Sequence, residues 1–247
     1  QVADLVVVPQ AGAIGEWPEG LYEAEMRVAA FQNGYYTALC NRVGKEDRLD
    51  FAGESFVCAP DGQVIARAGG LWTLQGIGVV GGRLYIIGGY KQSGLSVWGP
   101  VATVYAYDPA TDAWSERAPM PTARGALSVT VHDGKLYAIG GYEGRANSAA
   151  VEVYDPVRNS WSARAPLPTP RDHLATMAAA GKLYAIGGRL KGDYHRNLSV
   201  TEVYDPLSDT WRKAPDLPTA RSGITAAETG GRGVHRFDMD ESYAYIS

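Results

Sequence analysis

The sequence predicts a mainly β chain assembled from a repeated four-stranded unit, with a small α/β piece ahead of it. Three recurrences carry that prediction. A di-glycine falls at Gly88-Gly89, Gly140-Gly141 and Gly187-Gly188; a Tyr-Asp-Pro begins at Tyr107, Tyr154 and Tyr204; a tryptophan falls at Trp114, Trp161 and Trp211. From 114 to 161 is 47 residues and from 161 to 211 is 50, and self-similarity at such a period marks a repeat architecture. Residues 1–70 carry none of it.

Each part of the unit has a local physical reason. The stretch ALSVTV and its counterparts supply strand A, and HDGK and AAGK are short Gly-containing hairpin connections to strand B. LYAIGG is apolar and aromatic enough for a half-buried strand, and its two glycines leave bare backbone against which a large ring, the Tyr or the Trp, is expected to lie. AAVEVYDP is strand C. Its Asp-Pro, at Asp108, Asp155 and Asp205, favours a type I turn into strand D. A period near 50 with di-glycine, Tyr and Trp in fixed order resembles the Kelch repeat, one blade of a β-propeller. That resemblance implies a partial propeller over residues 71–232: three blades ending after Trp114, Trp161 and Trp211, and part of a fourth. Strand A of the fourth falls at residues 224–227, but no second LYAIGG follows. Residues 233–247 resemble a different propeller family, and residues 243–247 are expected as a makeshift strand B. An open arc would leave blade faces bare, which predicts either covering by the flanking segments or self-association.

Alternation puts the B–C and D–A connections on one side of the blades. The B–C segments (residues 90–102, 142–150 and 189–199) are long and varied, and loops on a rigid scaffold are where binding concentrates. Candidate contact residues are Tyr142, Tyr194 and Arg196 from these loops, with Arg124, Arg171 and Arg221 from the D–A segments APMPTAR, APLPTPR and APDLPTAR. The three arginines could hold an acidic ligand. A feature identical in every repeat more often braces the repeat, and that reading is preferred. His173 differs from its counterparts Ala126 and Gly223. The Kelch resemblance implies that this position, two after the arginine, borders the central pocket.

Composition excludes several classes. With 45% hydrophobic and 20% charged residues the chain is an ordinary globular one. The net charge of −4 divides as −5 over residues 1–70, +3 over 71–232 and −2 over 233–247, with nothing basic enough for nucleic acid. No apolar run approaches the roughly 18 residues of a membrane span. Two cysteines make no disulfide framework and favour a reduced compartment, cytoplasmic if anything. His132, His173, His195 and His235 are too scattered to ligate a metal, and the glycine-rich strands open no helix that could cradle a phosphate. No cofactor is expected. Beginning at Gln1 without a signal-peptide pattern, the sequence reads as a fragment.

Residues 1–70 read as strand, helix and three strands. ADLVVVP is a continuous apolar run; residues 19–32 place Leu21, Ala24, Val28 and Phe31 at helical spacing, with Gly34 as C-terminal cap. YYTALC, GESFVCAP and QVIARA follow as strands, the last two joined at Asp61-Gly62. ADLVVVPQA, RVAAFQNGYYTALCNRVGKE and FAGESFVCAPDGQVIARAG resemble the C-terminal part of a carbon–nitrogen hydrolase of the nitrilase superfamily over about residues 1–69. The resemblance implies that the catalytic Glu, Lys and Cys lie ahead of the first strand and are absent here. Cys40 and Cys58 match no nucleophile position, and a Cys on a strand is most often a small buried hydrophobe. Glu46, Glu54 and Ser55 resemble residues bordering the hydrolase pocket. Three functions stay open: a non-catalytic scaffold binding a protein or peptide on the loop face, an amidase-type hydrolase inherited from residues 1–69, and a mosaic of gene fragments without an evolved role.

Overall fold

The computed structural model describes residues 5–10, 18, 20–41, 43–46, 49–52, 56–67, 72–73, 76–93, 97–228 and 234–237. The chain divides into two compact units, residues 1–74 with 91–97 and residues 75–90 with 98–247.

In the first unit, strand β1 (Leu5–Gln10) lies parallel to β2 (Tyr36–Asn41), and helix α1 (Leu21–Asn33) is the crossover that a parallel pair requires. Strands β3 (Val43–Glu46) and β4 (Leu49–Ala52) form a separate hairpin, while β5 (Phe56–Cys58) and β6 (Val64–Arg67) complete the sheet β1-β2-β5-β6. Gly34 caps the helix as expected: φ is 67° and its N–H donates to Ala30 O at 2.9 Å. The helix buries a different face from the expected one. Leu21, Ala24, Val28 and Phe31 are exposed, and Ala30 with Tyr22 and Met26 meets Leu39, Phe56 and Cys58. Two bonds set that rotation, Thr37 Oγ1 donating to Met26 O (3.2 Å) and Arg27 Nε to Gly62 O (2.8 Å), and Ala30 is small enough for the helix to approach the sheet. The β3–β4 hairpin was not predicted, because Lys45, Glu46 and Asp50 mask its alternation.

Strand β7 (Trp72–Thr73) precedes the blades. Blade I comprises β8 (Gly76–Val80) and β9 (Arg83–Ile87), then, beyond β10 (Tyr90–Ser93) and β11 (Val97–Pro100), β12 (Val104–Asp108) and β13 (Ala113–Glu116). Blade II is β14 (Ser128–His132), β15 (Lys135–Ile139), β16 (Val151–Asp155) and β17 (Ser160–Ala163). Blade III is β18 (Ala175–Ala179), β19 (Lys182–Ile186), β20 (Thr201–Asp205) and β21 (Thr210–Ala214). Each is an antiparallel meander in the predicted order. A fourth sheet pairs β22 (Thr225–Glu228) with β23 (Val234–Phe237). The second strand therefore comes earlier than expected; residues 243–247 lie outside the described residues.

The A–B hairpins are two-residue turns with both central residues left-handed, at Gly81-Gly82, Asp133-Gly134 and Ala180-Gly181, which matches the twist of the flanking strands. Between blades, Tyr85, Ile87, Val104 and Ala106 of blade I pack on Leu136, Ala138 and Tyr154 of blade II. Tyr137, Ile139, Val151 and Val153 of blade II pack in turn on Leu183, Ala185 and Tyr204 of blade III.

The di-glycines have a different cause from the expected one. No tryptophan is among the nearest neighbours of Gly88, Gly140, Gly141, Gly187 or Gly188. A Cβ on Gly88, Gly140 or Gly187 would come within 2.6–2.7 Å of the carbonyl oxygen of Arg124, Arg171 or Arg221, and all three glycines have positive φ. The tryptophans are half-buried against the Tyr of their own blade, with ring centroids 5.1–5.2 Å apart. What they hold is the preceding blade. Trp161 Nε1 donates to Ala118 O and Trp211 Nε1 to Ala165 O, both at 2.9 Å.

Candidate functional site

The strongest constellation on the blades stands where blades II and III meet, at the ends of their B–C and D–A connections. It is built on a buried carboxylate. Asp172, fully buried, accepts from Asn147 Nδ2 (2.5 Å), from Gly192 N (3.0 Å) and from His173 Nδ1 (2.6 Å), with Arg189 Nε at 3.4 Å. The remaining nitrogen of His173, Nε2, lies 2.8 Å from Arg189 Nη2. Because Arg can only donate, Nε2 accepts there and the ring carries its proton on Nδ1, facing Asp172. Burial by itself would raise the Asp172 carboxyl. The hydrogen bonds from His173, the Gly192 amide and Asn147 outweigh it and hold the group below the usual carboxylate range.

Asn147 joins the two long loops. From the blade II loop its Nδ2 reaches Asp172, and its Oδ1 accepts the Lys191 N–H (2.8 Å) of the blade III loop. The blade II loop is closed by the Tyr142 and Asn147 bridge, leaving Glu143, Gly144 and Arg145 exposed at its tip. The blade III loop ends in a short 3-10 turn, Tyr194–Arg196, capped by Asp193 Oδ1 on the His195 N–H (2.9 Å). Lys191, His195 and Arg196 stand exposed on it. Beside blade II, Tyr90 donates its OH to Tyr142 O (2.9 Å). Burial, with the Asp172 charge behind it, pushes the Tyr90 phenol up, so it stays a donor. A Cβ on Gly125 would lie 2.1 Å from the Tyr90 ring, so that position admits only glycine.

The sequence-predicted residues separate into two groups. His173, Tyr142, Tyr194 and Arg196 share this loop face, although His173 has both ring nitrogens engaged and only part of the ring open. Arg124 and Arg171 do something else. Both are fully buried, and each guanidinium is bonded inside one blade: Arg124 Nε to Gly140 O (2.9 Å), Nη2 to Ala138 O (3.0 Å), and Nη1 to Thr122 O (2.9 Å) and Glu152 Oε2 (2.5 Å). Arg171 repeats this with Gly187, Ala185, Thr169 and Glu202. Arg221 is half-buried, with its main chain tied to Leu198 O and Gly188 N. Glu152 and Glu202 had a sequence signal that was passed over: blade I has Tyr105 at that position and no arginine ahead of it, so Arg and Glu come and go together. Asp172 and Arg189 had no signal, since neither recurs; Asn147 does recur, as Asn197, and each bridges to the residue after its di-glycine. In the first unit Cys58 is fully buried in the core, as a structural cysteine should be. The side chains of Cys40 and Glu46 are not described, and Glu54 and Ser55 lie outside the described residues.

The family model for the KLHDC2/KLHL20/DRC7 Kelch-repeats domain matches residues 76–234, the stretch from strand β8 to strand β23. The chain belongs to the Kelch-repeat family. A second model, for carbon-nitrogen hydrolases, matches residues 4–80 of this Kelch-repeat chain, so the strand Gly76–Val80 falls under both. Among curated proteins, human Kelch-like protein 6 is 41% identical over 63 residues, 26% of this chain and 9% of that protein. A protein named "Hydrolase in pqqF 5'region" from Pseudomonas protegens is 37% identical over 67 residues, 27% of this chain and 23% of that protein. The Kelch chain thus spans under a quarter of either relative. A solved structure titled "Structure of YjhT" superposes with a TM-score of 0.62 at 17% identity, covering 72% of this chain and 64% of that one, which shows the fold. Two unrelated family matches in one chain make it chimeric.

Proposed function

We propose that this Kelch-repeat chain is a non-catalytic scaffold for a protein or peptide partner, and that the face carrying the B–C and D–A connections makes the contact. One observation carries the reading: Asn147, Asp172, His173 and Arg189 lock the loops of blades II and III to each other, and a pre-ordered loop face loses little entropy on binding. Arg145, Lys191, His195 and Arg196 stand exposed on the B–C loops of blades II and III, against the exposed Glu143 and the half-buried Asp193 among the described residues of those loops, which favours an acidic partner. Peptides selected from a display library on the full chain provide the test. His173→Ala, Tyr194→Ala and Arg196→Ala should each weaken them about fivefold or more, while Val157→Ala, at a distant hairpin tip, should change nothing. Binders indifferent to the three loop-face changes would overturn it.

The hydrolase match over residues 4–80 favours a second reading, a carbon–nitrogen hydrolase; the scaffold is put first because the Kelch-repeat match covers the larger part of the chain, residues 76–234. An assay with carbamoyl amides and simple amides separates the two. Turnover abolished by Cys40→Ala or Cys58→Ala would establish the hydrolase.

A further inference from the structure

His173 and Arg189 share a buried carboxylate. Asp172 Oδ1 takes the Nδ1–H of His173 at 2.6 Å and has Arg189 Nε at 3.4 Å, while Arg189 Nη2 donates to the remaining ring nitrogen, Nε2, at 2.8 Å. With the ring neutral the charges balance, because the Arg189 guanidinium offsets Asp172 inside the protein. The Nε2 lone pair is then part of what keeps Arg189 buried. The ring itself is fixed from the main chain. His173 is left-handed, with φ of 51°, like its counterparts Ala126 and Gly223; its N–H donates to Ala126 O (2.9 Å), and its own carbonyl accepts the Gly223 N–H (2.8 Å).

Proton uptake upsets this balance. Imidazole is the side chain that ordinarily changes charge between about pH 5 and 8, and 16% of the His173 side chain is open to solvent, whereas Asp172 and Arg189 are buried. A proton from water bonds to the Nε2 lone pair, and Nε2 becomes a donor facing an Arg189 nitrogen that can only donate. Two cations now compete for Asp172. His173 holds it by a direct hydrogen bond, whereas Arg189 Nε stands beyond the usual hydrogen-bond length, so the arginine is the one displaced. The other charged or titratable groups around the pair, among the described residues, are Tyr90, whose phenol burial pushes up, and Lys191 and Asp193, on either side of the Gly192 amide that donates to Asp172. We propose that His173 is a proton-operated latch, which in mild acid releases Arg189 from the Asp172 cluster onto the loop face as a further contact for an acidic partner. The partner rests on the scaffold reading above; the release of Arg189 belongs to the chain alone.

The test has two arms, both on the full chain. In the free chain, NMR follows the His173 ring and the Arg189 Nε–H between about pH 5 and 8. The Arg189 proton should lose its protection from exchange over the same interval in which the ring titrates. His173→Asn, which tolerates the left-handed backbone and takes up no proton, should abolish that loss. Arg189→Gln should move the ring titration to higher pH, because the donor that opposes the proton is gone. An Arg189 signal indifferent to the ring overturns the latch, whatever the chain binds. In the second arm an acidic peptide selected on the loop face is titrated by anisotropy at about pH 7.5 and about pH 5.5, in chains that carry His195→Asn to remove the other histidine of the blade III loop. Affinity should rise about fivefold or more on acidification, and the gain should vanish in His173→Asn and in Arg189→Gln. A gain that survives both changes refutes the latch. Failure to select any loop-face peptide counts against the scaffold reading, and the first arm then decides the latch by itself.

Discussion

Replacing Arg124 by Met should destabilise the second unit by about 3–5 kcal/mol, because it leaves Glu152 buried without its counter-charge. The structure sets that size. Arg124 is wholly inside the blade and reaches three carbonyl oxygens as well as the carboxylate, and among the described residues Glu152 retains afterwards only the Thr122 hydroxyl, at 2.8 Å. Against the roughly 5–15 kcal/mol that holds a folded domain together, such a loss is visible in a urea titration followed by tryptophan fluorescence. Glu152→Met should cost a similar amount for the mirror reason, an uncompensated guanidinium. The double variant should cost far less than the two losses together, with a coupling of about 2 kcal/mol or more. Arg171 and Glu202, with matching distances, should repeat the pattern in blade III. A loss below about 1 kcal/mol for Arg124→Met, or additive single changes, would refute the brace and return the arginine to the list of possible ligand contacts.

Three further outcomes follow from the same geometry. Asp172 has a lowered carboxyl, so its contribution is present above the unfolded value of about 3.9 and is lost as pH falls through the folded one; the gap in urea midpoint between wild type and Asp172→Asn should be full near about pH 6 and close in acid, and a gap that widens on acidification would contradict it. Gly134→Ala, a left-handed position with open space around it, should cost about 1–2 kcal/mol, while Gly140→Ala should cost roughly 2 kcal/mol more because its Cβ would meet Arg171 O at 2.7 Å; thermal melts showing equal losses would count against the close approach. Trp161→Phe should lose about 1 kcal/mol with its bond to Ala118 O, again by urea titration, and an unchanged midpoint would count against that bond.

Repetition made the blades legible. Three copies of one pattern give the strand order, the hairpins at Asp133-Gly134 and Ala180-Gly181, and the Asp-Pro turns, in which Asp155 Oδ1 accepts from Val157 N and Arg158 N. Pairwise chemistry across blades was less legible. The di-glycines look like a bed for a ring in sequence, because rings recur nearby, but the atoms they make room for are backbone carbonyls, which leave no trace in side-chain identity. Helix α1 failed for another reason: two apolar stripes overlap on it, Leu21 with Ala24, Val28 and Phe31, and Tyr22 with Met26 and Ala30. Periodicity finds both, and only contacts from outside the helix, through Thr37 and Gly62, choose between them.

The division between recurring and unique residues also explains where function can reside on this fold. Arg124 and Arg171 recur, and they are buried with their donors bonded inside the blade. Trp161 and Trp211 recur, and each holds the preceding blade. A residue that repeats is constrained by its neighbours in the repeat and has little left for a partner. Asp172 and Arg189 are the opposite case: neither has a like residue at the matching place of another blade, yet with Asn147 they fix His173 and two loops in one arrangement. Residues that rigidify a loop face are therefore a place where this scaffold can meet another molecule without disturbing the packing between its blades.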